Sequence, residues 1–328
     1  MKLLTIAIPT FNRADYLDLC LFQICKQIPG YEKDVEIIVS NNASTDNTDE
    51  VVQKYIRKGF NIKYVKNTTN IGMDGNIIQA YKLANSKYVL ILGDDDALLD
   101  GSLSKILNIL NSGEYEVVYM PAYSYTDTFP SDISKYKPLT FDIYEDKKKF
   151  IKKVSYFFTF ISGNIINKTL VEDNIDIDRF NGTFLAVLIW TFSALFNSKE
   201  NVYVNIYLTA SKAENTGGYK ICKVFGENMQ KVFNFFKEKG ISHEYFDIIT
   251  RKQLFSFFPY AIMNVRGNKG FFIEESFFKV LYPLYKRYIN FWLFTVPAII
   301  MPLPLVRIAA FIMQRLVYFY NKFIVKAY

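Results

Sequence analysis

Histidine is nearly absent: His243 stands alone in 328 residues. It lies in a polar stretch opening a predicted helix, a place for a surface or capping histidine rather than a catalytic one. Cysteine is scarce too. Cys20, Cys25 and Cys222 are odd in number and lack metal-ligand spacing, which argues against a thiolate metal site and points to a reducing compartment. Cys20 falls on the apolar stripe of a predicted helix, a core position. No secretory leader is read at the start. The apolar run after Lys2 is short, ends in Pro9, and passes into Thr10-Phe11-Asn12-Arg13 without a small-residue cleavage site. Internal repeats and low-complexity segments are missing as well.

Acid is missing from one end. Ser276 to Tyr328 holds no Asp or Glu but seven bases, namely Lys279, Lys286, Arg287, Arg307, Arg315, Lys322 and Lys326. Residues 1–275 balance 32 bases against 32 acids, so this tail carries the whole net charge of +7. A basic, aromatic, apolar tail suits an anionic membrane surface, and it is too apolar for nucleic acid. Tyr288 to Val306 is uncharged for nineteen residues, just enough to span a bilayer. Pro297, Pro302 and Pro304 oppose one regular helix there, and Arg307 and Arg315 follow closely. A broken, interface-lying or re-entrant anchor is expected, with a helical subdomain packed on the main body as the alternative.

Half the residues are apolar, enough for a sizeable core in one large domain or two smaller ones. Strand and helix patterns alternate over the first 120 residues. Leu3–Pro9, Val35–Ser40, Ile62–Val65, Tyr88–Leu92 and Tyr115–Pro121 read as strands. Helical spacing follows each of the first four, over Leu17–Ile28, Asp46–Arg57, Gly72–Ala84 and Gly101–Leu110. The order predicts an α/β fold with a mainly parallel sheet covered on both faces, whose ligands bind at the carboxyl ends of the strands. Beyond Tyr125 the pattern loosens. Phe157–Asn164 and Val202–Leu208 read as strands; Thr183–Asn197, Ile221–Lys239 and His243–Phe258 read as helices. Lys147-Lys148-Lys149 reads as a solvated helix start.

Four polar segments meet at the expected ligand edge: Pro9-Thr10-Phe11-Asn12-Arg13, Asn41-Asn42-Ala43-Ser44-Thr45-Asp46, Asn70-Ile71-Gly72-Met73-Asp74-Gly75-Asn76, and Gly93-Asp94-Asp95-Asp96. Three adjacent carboxylates after a buried strand repel one another, and a hard dication such as Mg²⁺ or Mn²⁺ relieves that repulsion. A solvated acidic loop with Asp96 or Asp100 capping the next helix is the plainer reading. Asn41, Asn42, Ser44 and Asp46 also suit ordinary turn and cap chemistry.

In order and spacing the four segments resemble the nucleotide-sugar-binding half of family 2 glycosyltransferases with the GT-A fold, over about residues 1–125. The resemblance implies a mixed, mainly parallel sheet in a domain at 1–218 (nucleotide half 1–125, acceptor half 126–218); the helical pattern and the charge distribution add a helical extension at 219–275 and the membrane-associating tail at 276–328. It implies that Pro9, Thr10, Phe11, Asn12 and Arg13 line the donor pocket. Asn41 takes the place of an aspartate that bonds the base; Asn42, Gly72, Asn76 and Asp94 flank the nucleotide. It makes Asp95 the principal metal ligand, with Asp94 and Asp96 beside it, for Mn²⁺ or Mg²⁺. The implied reaction moves a sugar from a nucleotide donor to a lipid-linked glycan, on the cytoplasmic face of the plasma membrane, in bacterial surface-polysaccharide assembly. Such a metal would stabilise the leaving diphosphate, and an inverting enzyme needs a base for the acceptor hydroxyl. The family's base position aligns with Phe180-Asn181-Gly182-Thr183-Phe184, which holds no acid. Asp176 and Asp178 are the base candidates, and Glu214, in a polar loop with Lys212 and Gly217-Gly218, is a further acid. A catalytically impaired sugar-nucleotide binder and a nucleotidyltransferase remain as alternatives; no Gly-rich phosphate loop follows the first strand, which disfavours the latter.

Overall fold

A computed structural model describes residues 1–172, 174–213, 218–267 and 276–308. The chain divides into two compact units. One comprises Met1–Asn215 with Asn234–Tyr245, the other Thr216–Phe233 with Phe246–Tyr328.

The first unit is built on β1 (Leu4–Thr10), α1 (Ala14–Cys25), β2 (Val35–Asn41), α2 (Thr48–Arg57), β3 (Ile62–Lys66), α3 (Met73–Leu83) and β4 (Tyr88–Ile91). These strands carry Leu, Ile and Val on both faces, so both must be covered, and helices cover them. β3, β2, β1 and β4 lie side by side and parallel. Leu4, Ile6, Ile8, Val39 and Leu90 pack with Leu17, Leu21 and Ile24 of α1 in the main core. The parallel register sets Thr10 beside Asn41 and Ala7 beside Ile91. The carboxyl ends of β1, β2 and β4 therefore open on one edge.

The chain continues through β5 (Asp96–Leu98), α4 (Ser102–Ser112), β6 (Val117–Tyr119), β7 (Ala122–Tyr125), β8 (Phe141–Tyr144), α5 (Lys147–Val154), β9 (Asn164–Asn167), α6 (Val187–Phe196), β10 (Asn201–Val204) and β11 (Thr209–Lys212). The large sheet runs β3-β2-β1-β4-β9-β6-β10-β8, with β9 antiparallel to both neighbours. A small sheet, β5-β11-β7, pairs Asp96 with Ser211. α6 is apolar all round and buried. It packs against β9, and its Trp190 stacks on Tyr81 of α3 at 4.2 Å.

Several expected elements move. The strand expected at Phe157–Asn164 is two 3₁₀ turns, and β9 begins only at Asn164. The Asn164 side chain donates to the Phe158 and Phe160 carbonyls and closes the turn, and a Cβ on Gly163 would stand 2.8 Å from the Phe160 ring. Val202–Leu208 ends early at Val204, and the chain re-pairs as β11 in the other sheet. Asp100 does not cap α4. Gly101 is the N-cap, at φ 74°, and Asp100 pairs with Lys26 instead. The helix expected from Thr183 starts at Val187, after a tight turn. At α5, Asp146 accepts from the Lys148 and Lys149 amides and caps the lysine run.

The second unit is helical. α7 (Met229–Glu238) follows a π-type turn at Lys223–Asn228 where one helix from Ile221 was expected, and α8 (His243–Lys252) ends in another π-type turn. Each of these two helices gives residues to both units. α9 (Phe258–Arg266), α10 (Phe277–Tyr285) and α11 (Val296–Ile300) complete the unit. Its core includes Phe233 against Phe246 and Phe258 against Tyr285. Among the described residues no helix is long and apolar enough to cross a membrane. Arg315, Lys322 and Lys326 of the basic tail lie outside the described residues, as does Glu214.

Candidate active site at the strand carboxyl edge

The edge is assembled by reciprocal amide bonds between loops. After β1, Asn12 takes the left-handed conformation at φ 52°, which asparagine tolerates. Its backbone donates to Ser44 Oγ at 2.9 Å, and its Oδ1 accepts from the Thr45 amide at 2.8 Å. Asp46 accepts from the Ala14 amide and from Thr48, so one carboxylate caps the starts of α1 and α2 together. Asn76, on the second turn of α3, accepts from Ser40 Oγ at 2.7 Å and donates to Ser40 O at 2.8 Å.

Asn41 and Asn42, expected at the nucleotide, are both hydrogen-bonded within the loops. Asn41 is fully buried. Its Oδ1 accepts from the Ser44 amide, and its Nδ2 donates to Tyr64 Oη and towards Asp49. An amide with both ends engaged is not presented to a base. Asn42 is equally occupied, donating to Asn70 Oδ1 and Gly72 O and accepting from Asn67 Nδ2 and the Ile71 amide. Both hold the loops in shape. Pro9 pairs with Ser40 past the end of the β4 ladder. Groups exposed at the edge include Phe11, Asn12, Thr45, Asp46, Asn70, Ile71, Gly72 and Met73.

The acidic turn begins at Gly93. A Cβ there would meet Asp95 Oδ1 at 2.9 Å and Asp96 Oδ2 at 3.2 Å, so the close approach of these carboxylates needs glycine. Asp94 Oδ2 accepts from Thr10 Oγ at 2.7 Å. Arg13 Nη1 reaches Asp94 Oδ1 at 3.3 Å and Asp95 Oδ2 at 3.0 Å. Asp96 turns the other way, accepting from Ser162 Oγ at 2.5 Å and from Ser211. Burial pushes the Asp94 carboxyl up to about 6, against the pull of Arg13. Burial and the charge of Asp95 hold Asp96 well above the ordinary carboxylate range.

Of the three expected ligands, Asp94 and Asp95 therefore face Arg13 and Asp96 faces Ser162. Pairing of Asp96 with Ser211 across the small sheet buries its side chain beneath Ser162, away from Arg13. Among the described residues no group of three His, Cys, Asp or Glu side chains could hold a metal ion. Two carboxylates do converge, on Arg13. Hard carboxylate oxygens such as these would suit a Mg²⁺ or Mn²⁺ ion, and Asp94 and Asp95 are the residues that would hold it.

The base candidates fall elsewhere. Asp178 is exposed and ion-pairs with Lys82 at 2.5 Å, on the last turn of α3. Asp176 accepts from the Asp178 amide. α3 starts at the ligand edge, so its last turn lies about 12 Å along the helix from that edge. Neither acid is brought to the acidic turn.

One residue passed unread. Asp74, in the first turn of α3, is buried, and its Oδ2 accepts from the Phe184 amide at 2.7 Å. The amides of Gly182, Thr183 and Ala186 also bond it, while burial keeps its carboxyl above the ordinary range. The acid lacking around Gly182 in sequence thus comes from α3. It organises a turn in which Gly182 (φ 80°) and Phe184 (φ 63°) both take left-handed conformations and Phe184 stands 40% exposed. Its nearness to Gly72 in sequence was the available signal.

Residues 5–174, just over half of the chain, match the family described as Glycosyl transferase family 2. Abequosyltransferase RfbV of Salmonella typhimurium is 40% identical over 112 residues, 34% of this chain and 33% of that protein. The GalNAc(5)-diNAcBac-PP-undecaprenol beta-1,3-glucosyltransferase of Campylobacter jejuni is 30% identical over 210 residues, 63% of this chain and 60% of that protein. The chain thus spans between a third and three fifths of these curated relatives. The structure of S. aureus TarS 1-349 in complex with UDP-GlcNAc superposes with a TM-score of 0.58 at 20% identity, covering 76% of this chain and 70% of that one. That likeness is one of fold, the GT-A fold, with its mixed, mostly parallel sheet.

Proposed function

This chain belongs to glycosyl transferase family 2, and from that premise we propose that it moves a sugar from a nucleotide-sugar donor to a lipid-linked glycan in surface-polysaccharide assembly. The observation that carries the reading is the convergence of Thr10, Arg13, Asp94 and Asp95 where β1 and β4 end. A related glucosyltransferase is named for an undecaprenol-linked acceptor, and TarS was solved with UDP-GlcNAc; both names favour this substrate class.

Asp95, the more exposed of the pair, and Asp94 are assigned to Mn²⁺ or Mg²⁺, which supplies charge stabilisation to the departing nucleoside diphosphate. Arg13, freed from the carboxylates, turns its fork to a phosphate oxygen, the bidentate geometry guanidinium favours. Gly72 at the N-cap of α3 lets donor come close to backbone, and the helix N-terminus favours its negative charge. Phe11 offers an exposed ring beside the base. Asp74 holds the Gly182 turn on the acceptor side. The cytoplasmic leaflet is the proposed location, with the tail from 276 lying on the membrane.

The test is nucleoside diphosphate release from UDP- and CDP-sugars with Mn²⁺ or Mg²⁺ and a polyprenyl-diphosphate glycan. Release that needs both metal and acceptor is expected. Donor binding without transfer to any glycan would overturn the reading in favour of a binder. The lack of an acid within Phe180-Asn181-Gly182-Thr183-Phe184 favours that second reading.

A further inference from the structure

Unit two carries a basic and aromatic surface that the donor site does not use. Tyr288 donates from Oη to Asp247 Oδ1 at 2.5 Å. Two guanidiniums flank its ring, Arg251 at 5.9 Å and Arg287 at 5.4 Å from the centroid. These residues and Ile289 line an open recess of about 290 Å³. Among the described residues neither arginine forms an ion pair, so Asp247 leaves the recess with a net positive charge.

A row of exposed rings adjoins it. Phe278 stacks on Tyr282 at 5.1 Å, and Tyr282 meets Trp292 edge-on at 6.1 Å. Lys286 lies over Tyr282 at 5.7 Å, and its carbonyl accepts from Trp292 Nε1 at 2.8 Å. Lys286 immediately precedes Arg287 in the chain, and Ile289 of the recess lies three residues before Trp292. Trp292 is 44% exposed and Leu293 59% exposed, side chains costly to leave in water.

We propose that the Arg251–Arg287 recess binds the phosphate of an anionic phospholipid headgroup while Trp292 and Leu293 enter the interface beside it. The charge identifies the occupant: the described part of the tail, 276–308, holds four bases and no acid. Paired guanidiniums match phosphate oxygens, and amphipathic rings prefer the headgroup level. A soluble protein partner would be expected to place acids against these arginines but would not call for bare tryptophan and leucine next to them. This assignment rests on the membrane attachment proposed above and names the groups that read the lipid.

The experiment is flotation of the full chain with phosphatidylcholine vesicles, with and without 30 mol% phosphatidylglycerol. Each cation near an anionic leaflet is worth roughly fivefold in partitioning, so Arg251→Gln with Arg287→Gln should weaken binding to anionic vesicles roughly 30-fold. Binding to neutral vesicles should stay as in wild type. Trp292→Ser with Leu293→Ser should weaken both. A control removing two exposed lysines of unit one, Lys33→Gln with Lys149→Gln, should change little. If the arginine pair floats like wild type, or the control falls equally, the headgroup site is refuted while attachment stands. If wild type floats with neither vesicle, attachment itself is refuted. Unchanged thermal melting confirms that each variant is folded.

Discussion

Replacing Asp94 by asparagine should stabilise the free protein while disabling it. The carboxyl is buried beneath Thr10 and beside Asp95, and its pKa stands at about 6 against an ordinary 3.8. At 1.36 kcal/mol per unit, ionising it in the fold costs about 3 kcal/mol above pH 6, Arg13 notwithstanding. The sign follows from the raised folded value. The contribution to stability is full below about pH 4, declines as pH rises towards 6, and is flat above. Asp49, held below the usual range by Lys66 and Tyr64, titrates beneath this window, whereas Asp96, raised by burial and by the charges of Asp95 and Asp94, titrates within it and adds to the same pH dependence. Asparagine escapes the cost and can still accept from Thr10. The assay is thermal unfolding in EDTA at half-unit steps from pH 4.5 to 8. The variant should melt about 6–12 °C above wild type at pH 8, with the gap closing towards pH 4.5. A variant that melts below wild type at pH 8, or a gap independent of pH, would refute the buried-charge account. Loss of transfer beside gained stability would mark the strain as functional.

The other expectations are more local. Asp74→Ala removes the acceptor for four backbone amides and should cost about 1–3 kcal/mol, with new protease cleavage around Phe184. Gly93→Ala pushes a methyl into Asp95 Oδ1 and should abolish metal-dependent donor binding with a loss of stability of about 1–3 kcal/mol, read by calorimetry and melting. Asn42→Ala strips partners from the Ile71 amide and from Asn67 and Asn70; donor affinity should fall at least as steeply as stability, since Gly72 loses its support.

Strands β1, β2 and β4 were legible because burial on both faces leaves mostly apolar runs, and β3, a partly exposed edge strand, was legible from the helices predicted on either side of it. The loops after them were legible because strand ends at one edge collect Asn, Asp, Thr and Gly. Side-chain direction was not. Asn41 was expected to meet a base by resemblance, and its side chain bonds Ser44 and Tyr64. Asp96 continues an acidic run yet is rotated under Ser162, because pairing with Ser211 in a second sheet sets its face. That sheet joins segments more than a hundred residues apart, so no local pattern carries it. The same holds for Asp74, whose partners lie 110 residues downstream. β9 was misplaced because aromatic residues before Gly163 have strand propensity, and the Asn164 side chain overrides it.

The central claim is that Asp94 and Asp95, released from Arg13, form the metal and diphosphate end of a nucleotide-sugar pocket. Calorimetric titration of UDP into wild type and Asp95→Ala, each with and without Mn²⁺, tests it most directly. Wild type should bind at least tenfold more tightly with the metal, and the variant should gain nothing from it. Equal metal-assisted binding by both proteins would contradict the account.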